Sequence, residues 1–269
     1  MEEQIKKIGF IGGGNMAEAL LKGIRQQDGQ ASILVSEPLA ARREFLAATY
    51  QIEVTEDNRR LVQECGLIIL AVKPQIVGQV LSPLAAIWRA DQLLVSILAG
   101  VKTADMEGVL GSQARVVRVM PNTPALVGCG AAAVCGGKNA VEENLQAVCD
   151  LFKSVGVVER VSETQMDAVT GLSGSGPAYI YTLIEALADG GVLEGLPRST
   201  ALALAAQTVL GGAQMVLQTG EHPAALRDKV CSPGGTTIAG VRALEEGGMR
   251  ATLINAVRAA SARSRELGK

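Results

Sequence analysis

The stretch Lys7 to Leu20, KIGFIGGGNMAEAL, restricts the folds open to this chain more than any other. A short apolar run, Ile8, Phe10 and Ile11, leads into Gly12-Gly13-Gly14, after which Met16, Leu20, Leu21 and Ile24 share one helical face. The pattern predicts a strand, a tight turn and a helix. Gly12 and Gly14 are the first two glycines of G-x-G-x-x-[GA], and Ala17 fills the third position, where only a small side chain lets helix and strand pack closely. Such a turn points backbone N–H groups and a helix N-terminus at an anion, so a pyrophosphate is its natural guest. Taken alone, the same glycines also serve as a purely structural turn.

The following residues add context. Ala31 to Ser36 reads as a second strand ending in Ser36-Glu37-Pro38, and Glu37 follows Gly14 by 23 residues. An acid about 20 residues on is where a dinucleotide fold places its ribose 2′-hydroxyl acceptor. Arg42 and Arg43 follow one turn into the next helix, where a guanidinium can hold a 2′-phosphate or lie on a solvated face. Strands are then expected at Ile52 to Thr55, Leu67 to Val72, Leu93 to Leu98 and Arg115 to Val119. Helices between them are expected at Asp57 to Cys65, Ile76 to Trp88 and Thr103 to Leu110. Continuous apolar strands alternating with helices predict an α/β fold with a doubly wound sheet covered on both faces. Ligands of such sheets lie beyond the carboxyl ends of the strands. There the sequence places Ala71-Val72-Lys73-Pro74, Ile97-Leu98-Ala99-Gly100 and Met120-Pro121-Asn122-Thr123-Pro124. Lys73 reads as an acid, a phosphate partner or a plain surface lysine, with positioning favoured because only burial brings a lysine near neutrality. Asn122, stiffened by flanking prolines, is expected to hydrogen-bond the cofactor. Strands at Ala131 to Cys135 and Val157 to Val161, flanking a helix at Glu142 to Ser154, close this part.

From Ser162-Glu163-Thr164-Gln165, which fits a capping box, the pattern turns helical throughout. The boundary is expected near Glu163: residues 1–162 form a dinucleotide-binding Rossmann domain and 163–269 an all-helical domain. Helices are expected at Gln165 to Leu172, Ala178 to Leu193, Arg198 to Gln218 with Gly220 as stop, Ala224 to Val230, Thr237 to Glu246 and Met249 to Leu267. Two interruptions, Ser173-Gly174-Ser175-Gly176-Pro177 and Ser232-Pro233-Gly234-Gly235-Thr236-Thr237, are expected to break helices and to open the next with hydroxyls and free N–H groups. Such a start suits a carboxylate, which makes Ser175 a candidate substrate contact.

Composition narrows the class. The net charge of −2 leaves no electrostatic footprint for nucleic acid, and no run reaches the roughly 18 apolar residues of a membrane span. The Met-Glu-Glu start leaves no room for a signal peptide before the first strand, so the cytoplasm is the expected location. Five cysteines without a C-x-x-C pair, and one histidine, predict reduced, mostly buried thiols and no metal site. His222, before Pro223, reads as a loop residue, and Glu221 as surface. Aromatics are only 3% while small residues abound, so closely packed helices bury little area each, which favours association with a second chain.

The run Leu226 to Glu245, LRDKVCSPGGTTIAGVRALE, closely resembles the C-terminal signature of the pyrroline-5-carboxylate reductase family, the last enzymes of proline synthesis. GFIGGGNMAEAL, AVKP, MPNTPA and GSGPAYIY resemble it in register, and the likeness covers essentially the whole chain. It implies a reductase using NADPH or NADH, with a Rossmann domain and a helical domain that interleaves with a second copy in a homodimer, with possible further assembly such as a decamer. The family's substrate loop falls on Ser232, Gly234, Gly235, Thr236 and Thr237, with Thr237 beside the ring nitrogen of 1-pyrroline-5-carboxylate. Its cofactor contacts fall on Gly12, Gly13, Gly14, Asn15, Met16, Ser36, Asn58, Ala71, Val72, Lys73, Pro74 and Asn122. Where many relatives place Asn-Arg or a Ser-rich segment after the second strand, this chain has Ser36-Glu37-Pro38, and a carboxylate repels a 2′-phosphate.

The implied chemistry is a hydride transfer to C5 of the cyclic imine. A protonated imine is already electrophilic, so orientation is the main requirement, with a nearby water supplying any missing proton. Two rivals are weaker. β-Hydroxyacid dehydrogenases carry G-x-G-x-x-x-K-x-x-N after the domain junction, and here Ile180 and Leu183 stand at the lysine and asparagine positions. A nucleotide-sensing or scaffold protein would not need the hydroxyl-rich loop.

Overall fold

The computed structural model describes residues 7–268; the Met-Glu-Glu start lies outside the described residues. Strands β1 (Ile8–Ile11), β2 (Ile33–Ser36), β3 (Glu53–Thr55), β4 (Leu67–Leu70), β5 (Leu93–Ser96), β6 (Arg115–Met120), β7 (Gly130–Gly136) and β8 (Gly156–Arg160) form one sheet in the order β3-β2-β1-β4-β5-β6-β7-β8. Helices α1 (Asn15–Gln27), α2 (Ala40–Tyr50), α3 (Asn58–Glu64), α4 (Val77–Leu81), α5 (Thr103–Leu110) and α6 (Glu142–Lys153) cover it. Then follow α7 (Met166–Val169), α8 (Gly176–Leu193), α9 (Arg198–Thr219), α10 (Pro223–Val230), α11 (Thr236–Glu246) and α12 (Met249–Leu267).

Every residue of β2, β4 and β5 is buried, as a sheet covered on both faces demands. Alternation along the strands splits the core in two. Phe10, Val35, Ile69, Val95 and Val117 pack with Leu20 and Leu21 of α1 and Phe152 of α6. Ile11, Leu34, Ile68, Leu70 and Leu94 pack with Leu61 of α3, Leu81 of α4 and Met106 of α5. All neighbouring strands are parallel except β6 and β7. Only a short 3-10 segment, Thr123–Val127, and a left-handed Gly128 join those two, and so brief a link can only turn the chain back.

The expected helix from Ile76 to Trp88 is broken: α4 lies between 3-10 segments Pro74–Ile76 and Ser82–Ile87. Pro83 has no N–H to give and its ring collides with the preceding turn. The expected break at Ser173 to Pro177 is likewise not a break. Thr170–Gly174 forms a π-helical turn, Ser175 N–H bonds to Thr170 O at 2.8 Å, and α8 begins at Gly176. One extra residue in the turn absorbs the glycines without freeing the chain.

Two compact units result, Met1–Ser175 with Ala259–Lys269, and Gly176–Arg258. Residues 163–175, read from the sequence as the start of the helical domain, group with the sheet. Met166 is buried against Ala133 and Cys135, and Ser264 Oγ donates to Asp167 at 2.6 Å. The capping box at Ser162 forms, with Gln165 Oε1 accepting from Ser162 N–H at 2.9 Å. In the second unit α8 and α9 approach through small residues, Ala188, Ala201 and Ala205 being buried. Helix α9 is long and apolar enough to cross a membrane by length and composition, although only Ala201 and Ala205 of it are buried within the chain. All five cysteines are free, and Cys65, Cys135 and Cys149 are buried. Burial pushes the thiols of Cys65 and Cys135 up to about 12.

Candidate active site

The parallel register brings the candidate cofactor residues of the first unit into one row. Ile11 lies opposite both Ser36 and Leu70, and Ser36 opposite Thr55, so Gly12, Glu37, Ala71 and Glu56 leave the sheet side by side. Gly12 holds φ +99°, and a Cβ there would lie 2.6 Å from Ala71 O. Its N–H bonds to Ser36 O at 2.8 Å, and Ala71 N–H to Ile11 O at 2.9 Å. A side chain at position 12 would fill the very space where the backbone must stay bare. No side chain caps α1, whose first turn exposes Asn15 and leaves its leading N–H groups to an incoming anion. These features fit a pyrophosphate.

Around this turn the side chains hold one another. Glu37 is buried; its Oε2 accepts from Gly13 N–H at 2.9 Å and its Oε1 from Leu39 N–H at 3.0 Å. Arg42 donates to Gly13 O and to Glu18 Oε2, each at 2.6 Å, and lies over the Phe45 ring. Tyr50 Oη donates to Glu18 Oε1 at 2.9 Å. Burial would raise the Glu18 carboxyl, but the hydrogen bonds from Arg42 and Tyr50 outweigh it and hold the pKa below its ordinary value. Burial and the Glu18 hydrogen bond push the Tyr50 phenol up to about 12. Arg42 thus neither lies on a solvated face nor waits for a phosphate: it supports the glycine turn from behind. Arg43 donates to Glu37 O at 2.7 Å and Pro38 O at 2.9 Å and pairs with Glu56 at 3.3 Å. The sequence offered no signal for Glu18 and Tyr50, because their role depends on α1 and α2 lying together.

Ser36 Oγ donates to Asn58 Oδ1 at 2.6 Å, so these two candidates meet directly. Asn58 opens α3, which Asp57 caps by accepting from Arg59 N–H at 2.8 Å. Val72 is half-buried, Lys73 and Pro74 are exposed, and the Lys73 ammonium has no partner among the described residues. Asn122, 9% exposed, differs from its expected role. Its Oδ1 accepts from Ala131 N–H at 2.8 Å and its Nδ2 donates to Ser173 O at 3.0 Å. The amide fastens the end of β6 to the start of β7 and to the π turn. A nearby node was not foreseen: Arg118, 3% exposed, lies 3.3 Å from Glu163 Oε1, and Glu163 also accepts from Thr103 N–H and Thr103 Oγ1. The second arginine of the strand RVVRVM, set between valines, was its available signal.

Ser175 is half-buried, and with its N–H bound to Thr170 O it keeps only its hydroxyl for a ligand. This corrects the expected free helix start there. The second glycine loop, within the second unit, does match its expectation. Gly234 is left-handed at φ +66°, Gly235 N–H bonds to Ser232 O at 3.1 Å, and a Cβ on Gly235 would lie 2.2 Å from Ser232 Oγ. Gly235 is the N-cap of α11 with no side-chain cap, which leaves the first N–H groups of the helix open beside exposed Thr236 and half-buried Thr237. An uncapped helix start flanked by hydroxyls is a carboxylate site in its chemistry. His222 is the N-cap of α10, its Nδ1 accepting from Ala224 N–H at 3.2 Å, and Glu221 pairs with Lys229 at 2.6 Å.

Comparison with known proteins agrees with this geometry. Residues 163–267 match the model described as pyrroline-5-carboxylate reductase dimerisation, which supports homo-oligomerisation, and residues 7–100 match that of NADP oxidoreductase, coenzyme F420-dependent. The chain is 50% identical to the pyrroline-5-carboxylate reductase of Methanosarcina acetivorans over the full length of both. The solved pyrroline-5-carboxylate reductase of Coxiella burnetii superposes with a TM-score of 0.93 at 36% identity, covering 99% of this chain and 100% of that one. The Plasmodium falciparum pyrroline carboxylate reductase, solved with NADP bound, gives 0.86 at 36% identity, with 99% of each chain covered. With the glycine turn, the uncapped start of α11 and end-to-end likeness in agreement, the chain belongs to the pyrroline-5-carboxylate reductase family.

Proposed function

We infer that this chain catalyses the reaction its family is named for, reduction of 1-pyrroline-5-carboxylate to L-proline with NADPH or NADH. The observation that carries the reading is the 50% identity over the full length of a named reductase. When bound, the reduced nicotinamide supplies a hydride to C5 of the cyclic imine while the ring nitrogen keeps its proton, so the product is proline.

The chain's own share is orientation. Backbone N–H groups from Gly14 to Met16 hold the pyrophosphate, Gly13 N–H being held by Glu37, and Ser36, Glu37 and Asn58 face the adenosine ribose. Ala71 to Pro74 bound the path of the cofactor, with the Lys73 ammonium positioning a phosphate. The N–H groups at the start of α11, with Ser232, Gly234, Gly235 and Thr236, hold the substrate carboxylate. Thr237 Oγ1 accepts a hydrogen bond from the protonated ring nitrogen, and Ser175 adds its hydroxyl. Asn122 acts through the backbone it fastens. The helical region, from residue 163 onward, serves substrate binding and dimerisation.

The exposed apolar side chains of α9, among them Leu204, Leu210 and Leu217, suit a second copy of the chain rather than lipid. Two helical domains interleave in this reading, with further assembly of dimers, as far as a decamer, in a cytoplasmic enzyme. Two measurements test it. Absorbance of NADH and of NADPH is followed with pyrroline-5-carboxylate, proline being quantified at the end; absence of turnover with both would overturn the activity. Light scattering after gel filtration gives the assembly, and a monomer would overturn the interleaved dimer.

A further inference from the structure

We propose that Glu37 gives this chain a preference for NADH over NADPH by accepting the ribose 2′-hydroxyl and repelling a 2′-phosphate. The inference rests on the reductase reading above and names the cofactor of that same site. Glu37 stands at the end of β2, next to the glycine turn that fits a pyrophosphate. Its carboxylate is fixed, since Gly13 N–H and Leu39 N–H each hold one oxygen. Each oxygen retains a lone pair, so a hydroxyl donor is welcome and an anion is not. Two backbone donors also keep the group stationary, so it cannot swing aside for a phosphate.

The cations that would reverse this preference are already engaged. Arg42 is paired with Glu18 and bonded to Gly13 O. Arg43 is paired with Glu56 and bonded to Glu37 O and Pro38 O. Recruiting either for a 2′-phosphate would break its ion pair, and in the case of Arg42 would also remove support from the glycine turn. Arg59, beside Asn58 in the first turn of α3, has no ion-pair partner among the described residues and is the remaining candidate for a phosphate.

The test is calorimetric titration of the full chain, without substrate, by NADH and by NADPH. The two ligands share every group but one, so the ratio of their Kd values reports position 2′ alone. The expected ratio favours NADH by about tenfold, which a like-charge contact of about 1.4 kcal/mol produces. Raising the salt narrows the ratio, because the repulsion is screened. Glu37→Gln, with Glu37→Ser as a second variant should the first unfold, brings the two Kd values together chiefly by tightening NADPH. Equal binding, or tighter NADPH, in the unsubstituted chain overturns the proposal while leaving the reductase reading intact; abolition of tight NADPH binding by Arg59→Ala would then show where the phosphate goes. An unchanged ratio in both Glu37 variants overturns the assignment to this residue. Failure of both dinucleotides to bind overturns both readings.

Discussion

Asn122→Ala separates two accounts of one residue. Flanking prolines suggest an amide held ready for the cofactor, whereas the folded chain spends that amide on Ala131 N–H and Ser173 O. Removing it leaves a donor and an acceptor unpaired at partly buried positions. Each costs about 1–2 kcal/mol, so the loss is about 2–4 kcal/mol. For a domain of this size 1 kcal/mol moves Tm by about 2–4 °C, which predicts a fall of roughly 4–16 °C in the unliganded chain. The assay is thermal unfolding by circular dichroism without cofactor, beside a Kd for the dinucleotide measured well below the transition. Asn122→Asp sharpens it: the acceptor towards Ala131 survives, but at neutral pH an oxygen faces Ser173 O, and stability should return on acidification as the carboxyl gains a proton to donate. An unchanged Tm with weakened cofactor binding would refute the fastening role.

Four further outcomes are expected. Thr237→Ala should lower kcat about 10- to 100-fold, the worth of a hydrogen bond to a charged group, with the dinucleotide Kd unchanged in titration. Gly12→Ala should raise that Kd and cost on the order of 1–3 kcal/mol in chemical unfolding, because the new methyl meets Ala71 O at 2.6 Å from a left-handed backbone. Glu163→Ala should destabilise by about 3–5 kcal/mol in urea titration, since Arg118 would be left as a buried charge without its partner. With the Tyr50 phenol raised to about 12 in the folded chain against about 10 unfolded, its contribution is complete below pH 10 and lost as pH rises towards 12. Tyr50→Phe should therefore flatten the alkaline part of the stability curve, measured as urea midpoints from pH 9 to 12.

Much of this protein follows from local pattern. The glycine turn, the apolar strands and the caps are decided by neighbours in the chain. Gly12 takes a left-handed backbone at φ +99° that its lack of a Cβ permits, and LIIL between two helical segments reads as a strand buried on both faces. The loop SPGGTT likewise states its own shape, with Gly234 left-handed and Gly235 opening a helix. Helix periods and Gly220 placed α9 and its stop closely, since the left-handed C-cap needs only a glycine.

What the sequence left open depended on residues far apart along the chain. Arg42 had two plausible duties and took a third, because folding set Glu18 and Gly13 within its reach. Asn122 bonded to backbone 9 and 51 residues away, which no local pattern foretells. The first compact unit runs on through Ser175, because Met166 found a pocket on β7 and Asp167 a serine in α12. Short-range sterics and hydrophobic period thus determined the elements and their ends from sequence alone. Which polar side chains serve a ligand and which serve the scaffold was decided by the tertiary structure, because a donor bonds whatever acceptor the fold brings nearest.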